Sequence, residues 1–211
     1  MKLTTTSYAI LGLLDLRDWN AYDLAQQAGR SLAYAWPVSE SQLYAEPKRL
    51  AGEGLITIRL AAAGPTRRRQ TYAITPAGRR ELRDWLSRKP AAPRLHAEVM
   101  LRCLFATAGT KEDLQAAVVA TRQDVADSYV GALEFVEAYL RGDNPFPERL
   151  HANLPWMALV RDLHLAIIDW ADRTLEQIDA WDDAAHGPSR EEVEAQLQAL
   201  PLPGRARGLQ D

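Results

Sequence analysis

The chain has 211 residues, an apolar fraction of 47% and a formal net charge of −3. With six tryptophans and no low-complexity tract, this composition excludes a disordered protein and predicts one or two globular domains. Cys103 is the single cysteine, so an intrachain disulfide and a cysteine-built metal site are both excluded, and a reducing cytoplasm fits best. The sequence contains neither a convincing secretory signal nor an apolar run long enough to span a membrane.

The charges are divided unevenly along the chain. Residues 1–90 carry a net charge of +6, and the remainder carries −9. The segment 87–95 contains Pro90 and Pro93, which disfavour helix in the residues before them. We therefore predict a basic domain over residues 1–90, a second domain over residues 95–200 and a flexible tail over residues 201–211.

The first 36 residues predict two helices. The stretch TTSYAILGLLDL has the apolar spacing of a well-buried helix, which we expect to start near Thr6. Asn20 can cap a second helix that begins with AYDLAQQ. Ser39 and Gln42 then have the spacing of a capping box, which predicts the start of a third helix.

The third helix is expected to have two contrasting faces. At 100° per residue, Leu43, Pro47 and Leu50 share the face that docks on the core. The opposite face shows small, hydrogen-bonding and cationic groups, namely Ser41, Tyr44, Ala45 and Lys48, with Arg49 at its edge. Pro47 leaves two alternatives open beyond Glu46, a kink or a broken helix, because proline lacks the backbone donor and clashes with the preceding turn.

A β-hairpin and a fourth helix are predicted to follow. LITIRL and QTYAI have strand composition, and Gly64-Pro65 between them marks a turn. Thr75 can then cap a helix that has Pro76 at its first position. Three helices, a hairpin and a helix form the order of a winged helix-turn-helix, in which the third helix enters the DNA major groove.

Three consecutive arginines lie just past the hairpin tip: Arg67, Arg68 and Arg69. By themselves they are most simply a solvated loop. Beside a helix that enters the major groove, such a cluster can instead follow the phosphate backbone and displace condensed counterions.

Four segments together resemble the N-terminal domain of PadR-family transcriptional regulators over residues 3–86. They are LTTTSYAILGLL, AYDLAQQ, ESQLYAEPKRLAGEGLI and RRRQTYAITPAGRRELRDWL. The resemblance implies a dimeric repressor that binds a palindromic operator in double-stranded DNA through its third helix and wing, and that is often released by a small-molecule effector. Tyr44 matches the family tyrosine that approaches the DNA backbone, and Tyr72 and Thr75 match the second strand of the wing.

These arguments give one set of candidate DNA contacts. Gln42 is the candidate base reader because its amide can pair with adenine, and Lys48 and Tyr44 are expected to hold the backbone, although Tyr44 fits a half-buried packing role equally well on geometry alone. The full set is Ser39, Ser41, Gln42, Tyr44, Lys48, Arg49, Arg67, Arg68, Arg69 and Tyr72.

The second part predicts two long helices. Apolar residues recur at helical spacing over residues 110–141, opened by a Thr110/Asp113 capping box, and again over residues 154–181. Each helix would be roughly 40 Å long, and seams of this length generally pack against a second chain. We expect a mainly α protein, with the winged helix-turn-helix followed by an all-helical dimerisation domain.

Trp156 and Trp170 have two interpretations. They can line a pocket for a small-molecule effector between helices, or belong to the helical core, and helical spacing favours the core.

Two functional classes follow: a DNA-binding transcriptional regulator, or a protein-interaction scaffold that keeps the winged-helix fold without DNA binding. We expect neither an enzyme nor a cofactor. The four histidines show no H-x-x-x-H or H-x-x-E-H pairing, and Cys103 lies on an apolar helix.

Overall fold

The computed structural model describes residues 3–32, 36, 38–62, 68–143 and 146–199. The chain divides into two compact units, Met1–Pro93 and Arg94–Asp211, and the division falls in a segment without helix or strand. The predicted tail 201–211 and the Gly64-Pro65 turn lie outside the described residues.

The N-terminal unit contains the predicted elements in the predicted order. Its helices are α1 (Thr5–Leu16), α2 (Ala21–Leu32), α3 (Glu40–Gly52) and α4 (Pro76–Ser87). Its strands are β1 (Trp19–Asn20), β2 (Ile56–Ala62) and β3 (Arg68–Ile74). All pairing is antiparallel in the order β1-β3-β2, with Ile58 opposite Tyr72 and Trp19 opposite Tyr72 on the other edge. This is a winged helix-turn-helix, and the predicted fold class is confirmed.

Local capping signals fix where these helices begin. Asn20 Oδ1 accepts the Asp23 N–H at 2.9 Å, and Thr75 Oγ1 accepts the Gly78 N–H at 3.0 Å, as predicted. Helix α4 also needs glycine at position 78, because a Cβ there would collide with the carbonyl oxygen of Leu55. The hairpin is thereby held against the start of α4.

One apolar core closes the N-terminal unit. Leucine, isoleucine and aromatic side chains from every helix and strand of the unit are almost completely buried, and α1 lies at the centre. They include Ile10, Leu11, Leu14, Leu24, Leu50, Ile56 and Tyr72. Trp85 stacks on Tyr8 with ring centroids 4.8 Å apart, which covers the α1–α4 side.

All regular secondary structure in the described residues of the C-terminal unit is helical. It contains α5 (Glu98–Leu104), α6 (Lys111–Leu140), α7 (Leu150–Asp179) and α8 (Arg190–Ala199), with short 3₁₀ turns at Ala106–Ala108 and Pro147–Arg149. Helix α6 opens with the predicted Thr110/Asp113 capping box. Helix α7 begins four residues before the predicted Leu154, with Pro155 inside it. No helix among the described residues is long and apolar enough to cross a membrane.

Candidate nucleic-acid interface

Helix α3 begins at a complete capping box. Ser39 Oγ accepts the Gln42 N–H at 3.4 Å, and Gln42 Oε1 accepts the Ser39 N–H at 3.2 Å. Two backbone donors that the first turn leaves unpaired are thereby satisfied. The box fixes the start of the helix and, with it, the direction in which each later side chain points.

The two predicted faces of α3 are present. Leu43, Pro47 and Leu50 are buried, and the helix runs unbroken through Pro47 to Gly52. Proline is accommodated here on the buried face, so a broken helix is excluded and the register continues past Glu46. The exposed side chains of α3 are those of Glu40, Ser41, Gln42, Tyr44, Ala45 and Lys48. A stripe of polar groups and one lysine therefore faces solvent.

Gln42 is exposed but already has an intramolecular partner. Its Oε1 atom accepts both the Ser39 N–H and the Ser39 hydroxyl, the latter at 3.1 Å. To pair with adenine through both amide atoms, Gln42 must share or give up these bonds. Base reading at this position therefore competes with helix capping.

Arg49 lies at the edge of the exposed face and is bound by the side chains of Glu46 and Ser7. Its Nε donates to Glu46 Oε2 at 3.0 Å, and its Nη2 donates to Glu46 Oε1 and, at 2.6 Å, to the Ser7 hydroxyl. These bonds engage the fork-shaped guanidinium, so a DNA contact at Arg49 would require them to break.

Tyr44 and Tyr72 occupy different environments although both were predicted DNA contacts. Tyr44 is 38% exposed, whereas Tyr72, on the central strand β3, is 2% exposed in the core. Burial, reinforced by the nearby Tyr44, raises the pKa of Tyr72. The expectation for Tyr72 is corrected, because a buried phenol cannot reach a phosphate, and its role is to pack the hairpin against the helices.

The wing arginines are placed only in part. Arg68 and Arg69 belong to β3, opposite Ala62 and Ala61 of β2, whereas Arg67 lies outside the described residues. The hairpin thus carries this part of the chain away from Ile56 and Ile74, where the two strands meet the core.

Other arginines of the N-terminal unit are paired with acids. Arg79 Nε lies 2.9 Å from Asp15 Oδ1, and Arg88 Nη2 lies 3.2 Å from Glu81 Oε1. Arg59 lies 3.6 Å from Asp18. The pairs of Arg79 with Asp15 and of Arg59 with Asp18 join residues more than forty positions apart, which is why the sequence did not reveal them. They reduce the positive charge away from α3.

The tryptophans of α7 do not converge on one small-molecule site. Trp156 and Trp170 are fourteen residues apart on one continuous helix, which separates them by roughly 21 Å at 1.5 Å per residue. Trp170 packs against a cluster that contains Val118, Ala171 and Ile178. This packing supports the favoured interpretation of Trp170 as part of the helical core.

Groups with catalytic potential are held in structural contacts. His164 bridges α6 and α7, with Nε2 3.1 Å from Ser128 Oγ and Nδ1 2.7 Å from the Val160 carbonyl oxygen. Burial raises the pKa of the Cys103 thiol, which makes it a poorer nucleophile. Within the ranges that the structure describes, no group of histidine, cysteine and carboxylate side chains could hold a metal ion.

The order of elements and the capped third helix place the N-terminal unit among winged helix-turn-helix proteins. Residues 10–84 match the sequence profile of the Transcriptional regulator PadR-like family. They form a PadR-like domain, and the resemblance seen in the sequence is confirmed.

A curated relative is the Negative transcriptional regulator PadR of Bacillus subtilis. It is 35% identical over 107 residues, which are 50% of this chain and 59% of that protein. Two of its solved structures share the fold. The complex with operator DNA has a TM-score of 0.71 at 24% identity, and the complex with p-coumaric acid has a TM-score of 0.65 at 25% identity. Each match covers 83% of this chain and 99% of the other.

The Vibrio cholerae virulence activator AphA has the same fold. Its TM-score is 0.67 at 24% identity, over 83% of this chain and 99% of that chain. The curated Bacillus subtilis protein among the named relatives is a transcriptional regulator and not an enzyme. The named relatives include both a negative regulator and an activator.

Proposed function

We propose that the protein is a dimeric, sequence-specific DNA-binding transcriptional regulator of the reducing cytoplasm, and that it represses its target. The observation that carries this proposal is the exposed face of α3, where Ser41, Gln42, Tyr44 and Lys48 point away from the core beside a hairpin that leads to three arginines. A polar helix face that carries a lysine fits the major groove.

Each exposed group has a proposed role. Gln42 reads a base, and Lys48, Tyr44, Ser41 and Ser39 hold the phosphate backbone. The cluster Arg67, Arg68 and Arg69 follows the phosphates beside the groove.

The dimer is proposed to form through α6 and α7 of the C-terminal unit. Four large apolar side chains of α6 are exposed, namely those of Val119, Val130, Leu133 and Leu140. They lie on one face of the helix, within an arc of about 80° when counted at 100° per residue. We call these four residues the α6 stripe. Exposed apolar surface of this extent indicates an interface. A two-fold dimer would present two recognition helices to successive major grooves of a palindromic operator.

Repression and its release are supported by the relatives. The Bacillus subtilis relative is a negative regulator, and its structure with p-coumaric acid supports a small-molecule effector for this chain as well. The C-terminal unit has a recess of about 440 Å³ between α5 and α6, within the size range of ligand sites. Its lining combines apolar and polar groups, among them Leu101, Arg102, Phe105, Thr110 and Leu114.

A salt titration distinguishes the DNA-binding regulator from the alternative, a winged-helix scaffold that does not bind DNA. With Arg67, Arg68 and Arg69 all replaced by alanine, the affinity for specific and random duplex should fall alike. The slope of log affinity against log salt should decrease by up to about 2.7, at about 0.9 for each phosphate that the variant no longer neutralises.

A matched control removes the same charge from the C-terminal unit by replacing Arg141, Arg161 and Arg190 with alanine. This variant should retain the slope of the unmodified chain. Absence of any salt-dependent retention of the unmodified protein on duplex DNA would support the scaffold instead.

A further inference from the structure

The side chains of Ser7, Glu46 and Arg49 form one hydrogen-bonded cluster between α1 and α3, which we call the Arg49 clamp. Both carboxylate oxygens of Glu46 accept hydrogen bonds from the Arg49 guanidinium. Ser7 Oγ donates to Glu46 Oε1 at 2.5 Å and accepts from Arg49 Nη2 at 2.6 Å. The Arg49 guanidinium is therefore held by groups on two helices.

The α1 side of the clamp is rigidly placed. Ser7 is completely buried, and it also serves the capping box of α1 by accepting the Thr4 N–H at 2.8 Å. Its hydroxyl also lies 2.9 Å from Thr4 Oγ1. Because a buried hydroxyl with these partners has little freedom, it fixes where Glu46 and Arg49 can meet.

Charge balance reinforces this arrangement. The hydrogen bond from Arg49, against the opposing effect of burial and with help from Ser7, holds the pKa of Glu46 below its ordinary value. The Glu46 carboxylate is thus ionised at neutral pH and neutralises Arg49. The pair adds no net charge to the surface of α3.

Arg49 nevertheless lies close to the exposed face of α3. It directly follows Lys48, and it stands one turn after the exposed Ala45, on the same side of the helix. Its side chain retains 26% exposure, whereas that of Glu46 retains 14%. Without its partner, the long arginine side chain could extend beside Lys48 towards a phosphate.

We propose that Ser7 and Glu46 withhold Arg49 from DNA, so that α3 binds without this cation and the affinity for non-operator duplex stays low. Glu46 is then a specificity-determining residue, although it does not touch the nucleic acid. This inference rests on the proposed DNA-binding function. An arginine on a phosphate strengthens binding to every sequence, whereas specificity is the ratio between operator and random duplex.

The test compares two variants of the full-length chain that both break the ion pair. Glu46→Gln is nearly isosteric and releases a cation, whereas Arg49→Gln breaks the pair without leaving one. Each is titrated on a random duplex between 50 and 200 mM salt, and on a selected operator duplex. Melting temperatures are measured in parallel, and Glu46→Ala serves as a second releasing variant if Glu46→Gln is poorly folded.

The clamp predicts opposite behaviour of the two variants. Glu46→Gln should bind random duplex more tightly than the unmodified chain and steepen the slope of log affinity against log salt by about 0.9. The ratio of its affinity to that of the unmodified chain should therefore fall about 3.5-fold between 50 and 200 mM salt. The ratio of its operator affinity to its random-duplex affinity should decrease. Arg49→Gln should show no steeper slope and no gain on random duplex.

Equal behaviour of the two variants would overturn the proposal, because the cluster would then only support the fold. If the unmodified chain binds duplex and the releasing variants keep its slope, the clamp is refuted alone. If the unmodified chain binds no duplex, the proposed function fails, and the clamp fails with it.

Discussion

The two compact units differ in how much apolar surface they bury within a single chain. In the N-terminal unit, Ile10, Leu11 and Leu14 of α1 are almost completely buried by helices and strands of the same unit. In the C-terminal unit, the α6 stripe and several leucines of α7 stay exposed. The helices α6 and α7 have 30 residues each, and the rest of the unit does not cover these side chains. We therefore expect the first unit to fold as a monomer, whereas the second has an apolar surface that a second chain would cover.

The units also differ in charge and in the polar groups that they expose. The basic N-terminal unit exposes hydrogen-bonding groups on a helix that a capping box fixes in place. The acidic second part would be repelled by the phosphate backbone. The difference supports the proposed division of labour, in which the N-terminal unit contacts DNA and the C-terminal unit holds two chains together.

Removing the second unit should have the largest effect. A fragment of residues 1–93 should be folded and monomeric, because its core is complete. Its affinity for a palindromic duplex should fall by about 100- to 10,000-fold relative to the full chain, since the two half-sites are no longer linked at high effective concentration. Light scattering and duplex titration measure the two quantities.

Affinity for a single half-site is the control for the fragment, and it should change little. A dimeric fragment 1–93 together with a monomeric fragment 94–211 would reverse the roles of the two units.

A charge in the α6 stripe should have the next largest effect. Leu133→Glu places an unpaired carboxylate in the proposed interface, and the dimer dissociation constant should rise by about 10- to 100-fold. Sedimentation equilibrium measures it. Ala120→Glu adds the same charge on another exposed side of α6 and should leave the dimer intact. Equal weakening by both changes would remove the stripe from the interface.

The smallest effect is expected at the base-reading position. Gln42→Ala should reduce the discrimination between operator and random duplex by about 10-fold without lowering random-duplex affinity. Because Gln42 also caps α3, a loss of helix stability has to be separated from a loss of reading. Gln42→Glu keeps the capping acceptor but cannot donate to adenine, so it should melt like the unmodified protein and still lose the preference. Retention of the preference in both variants would place base reading elsewhere.

Local signals explain why so much of the N-terminal fold is predictable from the sequence. Ser39/Gln42, Thr75/Pro76 and Asn20 each act within three or four residues, so their capping roles are visible in the sequence and are confirmed. Alternation in β2 and β3 likewise predicts the hairpin. The two-residue strand β1 was missed, because its pairing with β3 depends on residues fifty positions away.

Long-range contacts explain the corrections at the candidate site. An arginine beside Lys48 suggests DNA, but its ion pair with Glu46 is anchored by Ser7, forty-two positions earlier in the sequence. Tyr72 matches a family pattern, yet its burial depends on the central position of β3 between β1 and β2 in the assembled sheet. Side-chain direction on one helix is predictable, whereas the partner that a side chain finds across the fold is not.

The central claim is that two chains together read a duplex with two half-sites. The most direct measurement selects duplexes from a random library with the full-length protein and then counts the chains bound per selected duplex by analytical ultracentrifugation. The account predicts an inverted repeat with half-sites about one helical turn apart, two chains per duplex, and affinity that falls steeply with salt. Failure to enrich any sequence, or one chain bound per duplex with no symmetry in the site, would contradict it.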